Sequence, residues 1–322
     1  MAYREILKEI KTELDYVENE LKKYSYSSDT ILGESSGHLL RAGGKRLRPA
    51  FVILAAKFFN YYIERIAPLA VAIELIHMAS LVHDDVIDGS PTRRGIPTVS
   101  AKWGDAIALF TGDYLLAQAL IIVARHTNEE IARLLARVSL QMCEGEIEQI
   151  ETAGKIDQGL RIYLRRIKRK TALLFSTCCF TGALAGEAPS GLARCLKRYG
   201  YYVGMAFQIT DDVLDFEGSE KVFGKPVGSD LRQGIITLPV YYTLRNRETG
   251  CRLANILAKE EKQESDWEEA MALVRRSGSL NLARNCSIRY LEKAKRELLA
   301  LPDLPPRRVL AAITDFVIKR DF

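Results

Sequence analysis

Several things this 322-residue chain lacks narrow its fold and function. There is no strong charge imbalance. A net charge of +5 suits an anionic small-molecule partner and falls short of the concentrated basic footprint of a nucleic-acid binder. The six cysteines, Cys143, Cys178, Cys179, Cys195, Cys251 and Cys286, have neither metal-finger spacing nor a dense disulfide pattern. They are expected as buried free thiols in a reducing cytoplasm. The N-terminal stretch MAYREILKEIKTELD is charged every few residues and has no apolar core of the signal-peptide type. Two runs need checking as membrane spans. Residues 106–124 are interrupted by Gly112, Asp113 and Gln118, and the uncharged run 171–186 is shorter than the roughly 20 residues needed. Both are expected as helices buried deep in a large core. Linkers and short-period repeats are absent, and no Ser–His or Cys–His pair marks a covalent nucleophile.

What is present is helical periodicity. Ile6, Leu7, Ile10, Leu14, Val17 and Leu21 recur at three- and four-residue spacing, the pattern of an amphipathic helix. Similar patterns run through 50–59, 67–88, 105–125, 129–150, 160–185, 190–216, 235–246, 251–260, 266–276, 279–300 and 306–319. Few segments alternate as strands do, and glycine and proline fall between the periodic runs. The expectation is one all-α domain over residues 1–322, about a dozen helices around an apolar interior.

Two acidic motifs carry the chemistry. Asp84-Asp85-Val86-Ile87-Asp88 lies in SLVHDDVIDGSPTRRG, and Asp211-Asp212-Val213-Leu214-Asp215 lies in AFQITDDVLDFEGS. On a helix, Asp84 and Asp88 are one turn apart, about 6 Å along the axis, with Asp85 on the flank. Asp211 and Asp215 repeat this, and Gln208 shares their face. Gly89 before Pro91, and Gly218 after Glu217, read as helix stops, so each cluster falls in a last turn. Carboxylates there oppose the helix dipole and repel one another. A rule broken twice in the same way points to a compensating hard cation. Magnesium fits, since it takes one or two carboxylates together with substrate phosphates.

Basic residues supply the complement. Gly43-Gly44-Lys45-Arg46-Leu47-Arg48-Pro49 opens a helix near Ala50, with Pro49 expected as its first residue. The glycines let backbone amides approach an anion, and Lys45 and Arg48 can bond phosphate oxygens. Arg93 and Arg94 follow the first motif within one short loop. Lys168, Arg169, Lys170 and Thr171 precede the uncharged run. His77 lies seven residues before Asp84; alone among Ile76, Met78 and Leu81 it reads more readily as a satisfied core histidine. The segment from Phe216 to Gly234, with Lys221, Lys225, Asp230 and Arg232, has the composition of a lid over phosphates. Lys319-Arg320 is a further candidate for closing the site.

At these residues the chain resembles the trans-polyprenyl synthase family. GGKRLRP, HDDVIDG with its RRG, GDYLLA, KT, QITDDVLDF and GKPVGSDL occur in family order over nearly the whole length. The ending VIKRDF and the segments HMASLVHDDVID and YLRRIKRKTALL look most like the catalytic member of a two-component heptaprenyl diphosphate synthase. The resemblance implies the isoprenoid synthase fold and the joining of isopentenyl diphosphate to an allylic diphosphate. It implies two or three Mg²⁺ ions held by Asp84 and Asp88, with Asp85 nearby, and by Asp211 and Asp215 beside Asp212. Arg93, Lys170, Thr171, Gln208 and Lys225 are then expected on the allylic substrate. Gly44, Lys45, Arg48, His77 and Arg94 are expected on isopentenyl diphosphate. A homodimer, or a heterodimer with a small regulatory subunit, follows as the expected assembly, in the cytoplasm, with quinone side-chain synthesis as the setting.

Product length is read from the helix that carries Asp84. Ser80, Ile76 and Ile73 lie within roughly 80° of its direction, and Ala79 lies further round. Family members with bulky residues four and five positions before the first aspartate make short products, whereas Ser80 and Ala79 are small here. The expectation is an open tunnel and about six to eight isoprene units, from a farnesyl diphosphate primer. Two alternatives stand beside it: a class I terpene cyclase, which has no use for the GGKRLRP site, and a non-catalytic partner subunit, which would have lost site residues.

Overall fold

The computed structural model describes residues 3–25, 30–126, 128–217 and 227–318. Among them the backbone is helical nearly throughout. In chain order the helices are α1 (Tyr3–Ile6), α2 (Lys11–Ser25), α3 (Thr30–Arg41), α4 (Leu47–Ala56), α5 (Ile63–Ile87), α6 (Val99–Trp103), α7 (Asp105–Ala124), α8 (Glu129–Thr152), α9 (Leu160–Ile167), α10 (Leu173–Ala185), α11 (Ser190–Glu217), α12 (Ser229–Arg232), α13 (Leu238–Leu244), α14 (Gly250–Leu257), α15 (Glu264–Arg276), α16 (Ser279–Leu299) and α17 (Pro305–Ile318). The only extended pairing among the described residues is a two-stranded ribbon, β1 (Thr92–Arg93) against β2 (Ile96–Pro97). The all-α expectation therefore holds.

The chain forms two compact units. The first is drawn from Met1–Ser139, Phe175–Gly200 and Glu297–Ile313, the second from Leu140–Leu174, Tyr201–Arg296 and Thr314–Phe322. The first is built around α4 and α5. Ala50 through Ala56 are wholly buried, as are Leu69 through Ile73. Each fully buried large aliphatic or aromatic side chain contributes about 1.5–3 kcal/mol. Gly182 of α10 lets that helix press on α4, since a Cβ there would lie 2.1 Å from the Val52 carbonyl oxygen. Phe51 meets Phe175 and Tyr199 edge to face, at centroid separations of 5.4 and 6.1 Å. The second unit packs Tyr163, Met205, Ile209, Phe216, Leu231, Leu238, Leu253, Leu273 and Val274 into its own core.

Four expectations are corrected. The helical run 160–185 is not continuous: five residues, Lys168–Ala172, form a π-helical turn between α9 and α10. Such turns widen the backbone and occur often at functional sites. Helix α4 begins at Leu47, two residues before Pro49, because Arg46 takes a left-handed conformation (φ 48°, ψ 36°) that starts the helix early. The segment expected to be deeply buried, now α7, is only 39% buried across its apolar stretch. One side packs on α5, where Gly112 receives the ring of His83, while Leu109, Phe110, Leu120 and Ile121 stay exposed. Finally, Cys178, Cys179 and Cys195 are buried, but Cys143 and Cys251 are exposed. Their helices α8 and α14 turn those faces outward.

By length and composition α5 and α7 are apolar enough to cross a membrane. However, α5 is 72% buried within the fold and carries Glu74, His77, Asp84 and Asp85, as a core helix that ends in a polar site does.

Candidate active site

The first unit carries the first motif. Helix α5 ends at Ile87, with Asp88 as its cap residue. The amide of Ser90 donates to the Asp85 carbonyl (3.0 Å), and that of Gly89 donates to the Val86 carbonyl (3.2 Å). With Gly89 at φ 57°, this is a Schellman closure, and the glycine makes it possible. The backbone thus closes the helix without help from the carboxylates. The expected last-turn placement is met for Asp84, Asp85 and Asp88.

The three acids differ in surroundings. Asp85 is buried and held by Arg93, whose Nε lies 2.8 and 2.9 Å from its two oxygens and whose Nη2 lies 2.7 Å from Oδ1. Asp84 and Asp88 are only half-buried. Arg93, expected on the substrate, therefore has two of its three nitrogens committed to Asp85. The ribbon explains how it gets there. Arg93 pairs with Ile96, so Arg94 and Gly95 form a two-residue turn, and both have positive φ (53° and 79°). That is the primed turn a tight hairpin requires.

Above the motif on α5 sits a basic cluster. His77 is held neutral, well below its ordinary pKa, first by burial and then by the charges of Arg48, Arg94, Arg93 and Arg46. A Cβ on Gly44 would meet Nη1 of Arg94 at 2.9 Å and Nη1 of Arg46 at 3.0 Å, so both guanidiniums close on this glycine. Arg48 lies with its guanidinium 5.1 Å from the Phe175 ring centroid, and Lys45 is exposed. The structure thus brings Gly44, Arg48, His77 and Arg94 together, as expected. Acid conditions should expose the tension at His77. As pH falls through 6.5 the unfolded chain binds a proton that the folded chain refuses, so stability is lost on acidification and is unaffected above that pH. His77→Gln should remove this loss. Chemical denaturation of both proteins is expected to shift their stability difference by about 1 kcal/mol in favour of the variant between about pH 6.5 and 5.5.

The second unit carries the second motif, at the end of α11. Asp212 is buried; it accepts from the Tyr163 hydroxyl (2.7 Å) and from Gln208 Nε2 (2.9 Å). Gln208 in turn accepts from the Thr171 hydroxyl at 2.7 Å. Asp215 accepts from the amide and hydroxyl of Ser229, each at 3.2 Å, and from the Asp230 amide at 3.4 Å. Burial and then the Asp230 charge push both Asp212 and Asp215 up to about 7. Lys170 stands 2.8 Å from Glu146, and Gly145 admits the π turn, since a Cβ there would be 2.8 Å from the Cβ of Arg169. Thr171, Gln208, Asp212 and Tyr163 therefore form one hydrogen-bonded chain, while Lys170 pairs with Glu146 and Asp215 with Ser229 and Asp230.

A pattern common to both motifs follows. The middle aspartates, Asp85 and Asp212, are buried and fully engaged by protein partners. The outer ones, Asp84, Asp88 and Asp211, are half-buried at helix ends. Among the described residues no three carboxylates, imidazoles or thiols are gathered as a ready-made metal cage. Burial and the Asp230 charge disfavour the ionised form of Asp215, and a nearby divalent cation would favour it again, so such an ion fits this carboxylate.

Tyr163, Glu146, Glu74 and Arg46 were missed by sequence reasoning. Arg46 stood inside a recognised motif, but nothing in the pattern said where its side chain points. Lys221, Lys225 and Lys319-Arg320 lie outside the described residues.

Comparison with known proteins decides the family. Residues 29–274 match the Polyprenyl synthetase family. The chain belongs to that family. It is a prenyltransferase, 46% identical over 310 residues to heptaprenyl diphosphate synthase component 2 of Geobacillus stearothermophilus, with 96% of each chain covered. The solved heptaprenyl diphosphate synthase of Staphylococcus aureus superposes with a TM-score of 0.93 at 40% identity, covering 97% of this chain and 99% of that one. The polyprenyl synthase of Caulobacter crescentus, solved with calcium and isoprenyl diphosphate, gives a TM-score of 0.94 at 31% identity over 99% and 98% of the two chains. The prenyltransferase thus shares the isoprenoid synthase fold of these enzymes.

Proposed function

We propose that this prenyltransferase, acting as one domain over residues 1–322, condenses farnesyl diphosphate with successive isopentenyl diphosphates to make a linear product of about seven units, heptaprenyl diphosphate. The observation that carries the length is the pair of small residues one turn before Asp84 on α5, Ala79 and Ser80, with Ile76 a turn further back. A growing chain directed along that face meets no bulky side chain at its first turn. A relative named as component 2 of a heptaprenyl synthase supports the same length.

Asp84 and Asp88 in the first unit, and Asp211 and Asp215 in the second, are the carboxylates that would hold Mg²⁺, two or three ions in all, for an allylic diphosphate. Bound there, the ions supply electrostatic stabilisation of the departing diphosphate. Lys170 adds a cation at the leaving group. Thr171 and Gln208 turn neutral oxygens toward the allylic carbon as positive charge develops there. Asp85 and Asp212 orient rather than ligate, through Arg93 and through Tyr163 and Gln208. Gly44, Lys45, Arg48, Arg94 and neutral His77 bind the diphosphate of the attacking isopentenyl substrate. After the new carbon–carbon bond forms, a proton leaves the adjacent carbon to the released diphosphate, so no protein nucleophile is needed. The name component 2 in relatives supports a partner component for this chain, which we read as a small regulatory subunit; a second copy is the other assembly. The free thiols among the described residues fit a cytoplasmic setting.

The test is a product ladder. Purified chain, with and without extract of its own host, is given farnesyl diphosphate, labelled isopentenyl diphosphate and Mg²⁺, and the dephosphorylated products are sized. A ladder ending near seven units is expected. Cyclic hydrocarbon from the allylic substrate alone would favour a cyclase, and products ending near four units would remove the length assignment.

A further inference from the structure

The GGKRLRP segment contains one cation to which the reaction assigns no role. Arg46 is buried, and its backbone is left-handed, a region that L residues other than asparagine and aspartate seldom enter. Its guanidinium bridges two helices. Nε donates to Glu18 Oε2 at 2.6 Å and Nη2 to Glu18 Oε1 at 3.1 Å, a two-pronged grip on α2. Nη1 donates to Glu74 Oε1 at 3.0 Å on α5, and Glu74 is itself buried. Burial opposes the Arg46 charge, yet the Glu18 hydrogen bond and Glu74 outweigh it, so the group stays protonated.

The position of this triad gives it more than a packing role. Glu74 lies three residues before His77 on α5, hence on the same face. It also acts electrostatically on Arg94, where it offsets the repulsion from Arg46, Arg93 and Arg48. Arg46 falls between Lys45 and Arg48, and its backbone turn fixes the directions in which they leave the chain. Without an internal counter-charge, four guanidiniums around a neutral imidazole would spread apart.

We propose that Arg46, clamped by Glu18 and Glu74, is a positioning residue for the isopentenyl diphosphate site: it sets the left-handed turn that aims Lys45 and Arg48, while Glu74 holds Arg94 beside His77. The proposal rests on the reading of that cluster as the isopentenyl diphosphate site.

The test separates the two. In the assembled enzyme, KM for each substrate, kcat and the unfolding midpoint are measured for Arg46→Lys, Glu74→Gln, Glu18→Gln and the direct-site control Arg48→Ala. Arg46→Lys keeps the charge and loses the fork, so KM for isopentenyl diphosphate should rise about tenfold or more, with KM for the allylic substrate within about twofold. Glu74→Gln should do the same. Glu18→Gln, on a side chain 31% exposed, should give a smaller rise in a protein that stays folded. A purely structural role would lower the unfolding midpoint and the active fraction, leaving KM unchanged. If Arg48→Ala raises KM for isopentenyl diphosphate and none of the three triad variants does, the positioning role is overturned. If Arg48→Ala leaves that KM unchanged, the reading of the cluster has failed first.

Discussion

Asp88→Asn is expected to lower kcat by about a thousandfold while leaving the fold as stable or slightly more so. Both halves follow from where the residue sits. Asp88 is the C-terminal cap residue of α5, at the negative end of the helix dipole, and removing an acid there relieves about 0.3–1 kcal/mol. The Schellman closure is made by the amides of Gly89 and Ser90, so it survives the change. Only function needs the charge. Asp85→Asn, three residues earlier in the same motif, should behave in the opposite way. It breaks a buried pair with Arg93, a loss of about 3–5 kcal/mol, so thermal unfolding should fall markedly. Circular dichroism melts beside steady-state kinetics check both. An Asp88→Asn protein that is fully active, or an Asp85→Asn protein that melts like the parent, would contradict the division into ligating and orienting aspartates.

Ser80→Phe is expected to cut the product from about seven units to about three or four. Position 80 stands one turn, about 6 Å, before Asp84 on the same face, close to the length of one isoprene unit. Its side chain is half-buried, and its hydroxyl donates to the His77 carbonyl at 2.9 Å, so the change removes only a local bond. Ala79→Phe is the less clean variant. Ala79 is buried, and overpacking there costs about 1–3 kcal/mol in addition to any effect on length. Sizing of the dephosphorylated products decides the point: an unchanged ladder from Ser80→Phe would place the growing chain elsewhere.

How much of this was legible beforehand depended on the range of each interaction. The last-turn placement of Asp84 and Asp88 could be read from Gly89 and Pro91, because helix ends are set by local backbone chemistry. The fold class could be read from the period of the apolar residues. Arg46, by contrast, meets partners 28 residues away on either side, and no local rule gives its direction. The same holds for Tyr163, 49 residues from Asp212. The π turn at Lys168–Ala172 is invisible to periodicity, and the close approach of Arg169 to Gly145 beside it is a contact between residues 24 positions apart. The open face of α7 was misjudged because composition reports apolarity and says nothing of what covers it.

The middle aspartates illustrate the limit most directly. Spacing put Asp85 and Asp212 on the flank of each cluster but left them indistinct in role. Burial separates them from their neighbours, and the same separation occurs in both motifs.

The most direct measurement of the central claim is diphosphate release from farnesyl diphosphate by the assembled enzyme, with Mg²⁺ or with EDTA, for the parent chain, Asp84→Asn and Asp211→Asn. Metal-assisted ionisation held by both aspartate clusters predicts rapid release with Mg²⁺ and isopentenyl diphosphate present, and a loss of about a thousandfold on chelation or in either variant. Release at the parental rate in EDTA, or in either variant, would contradict it.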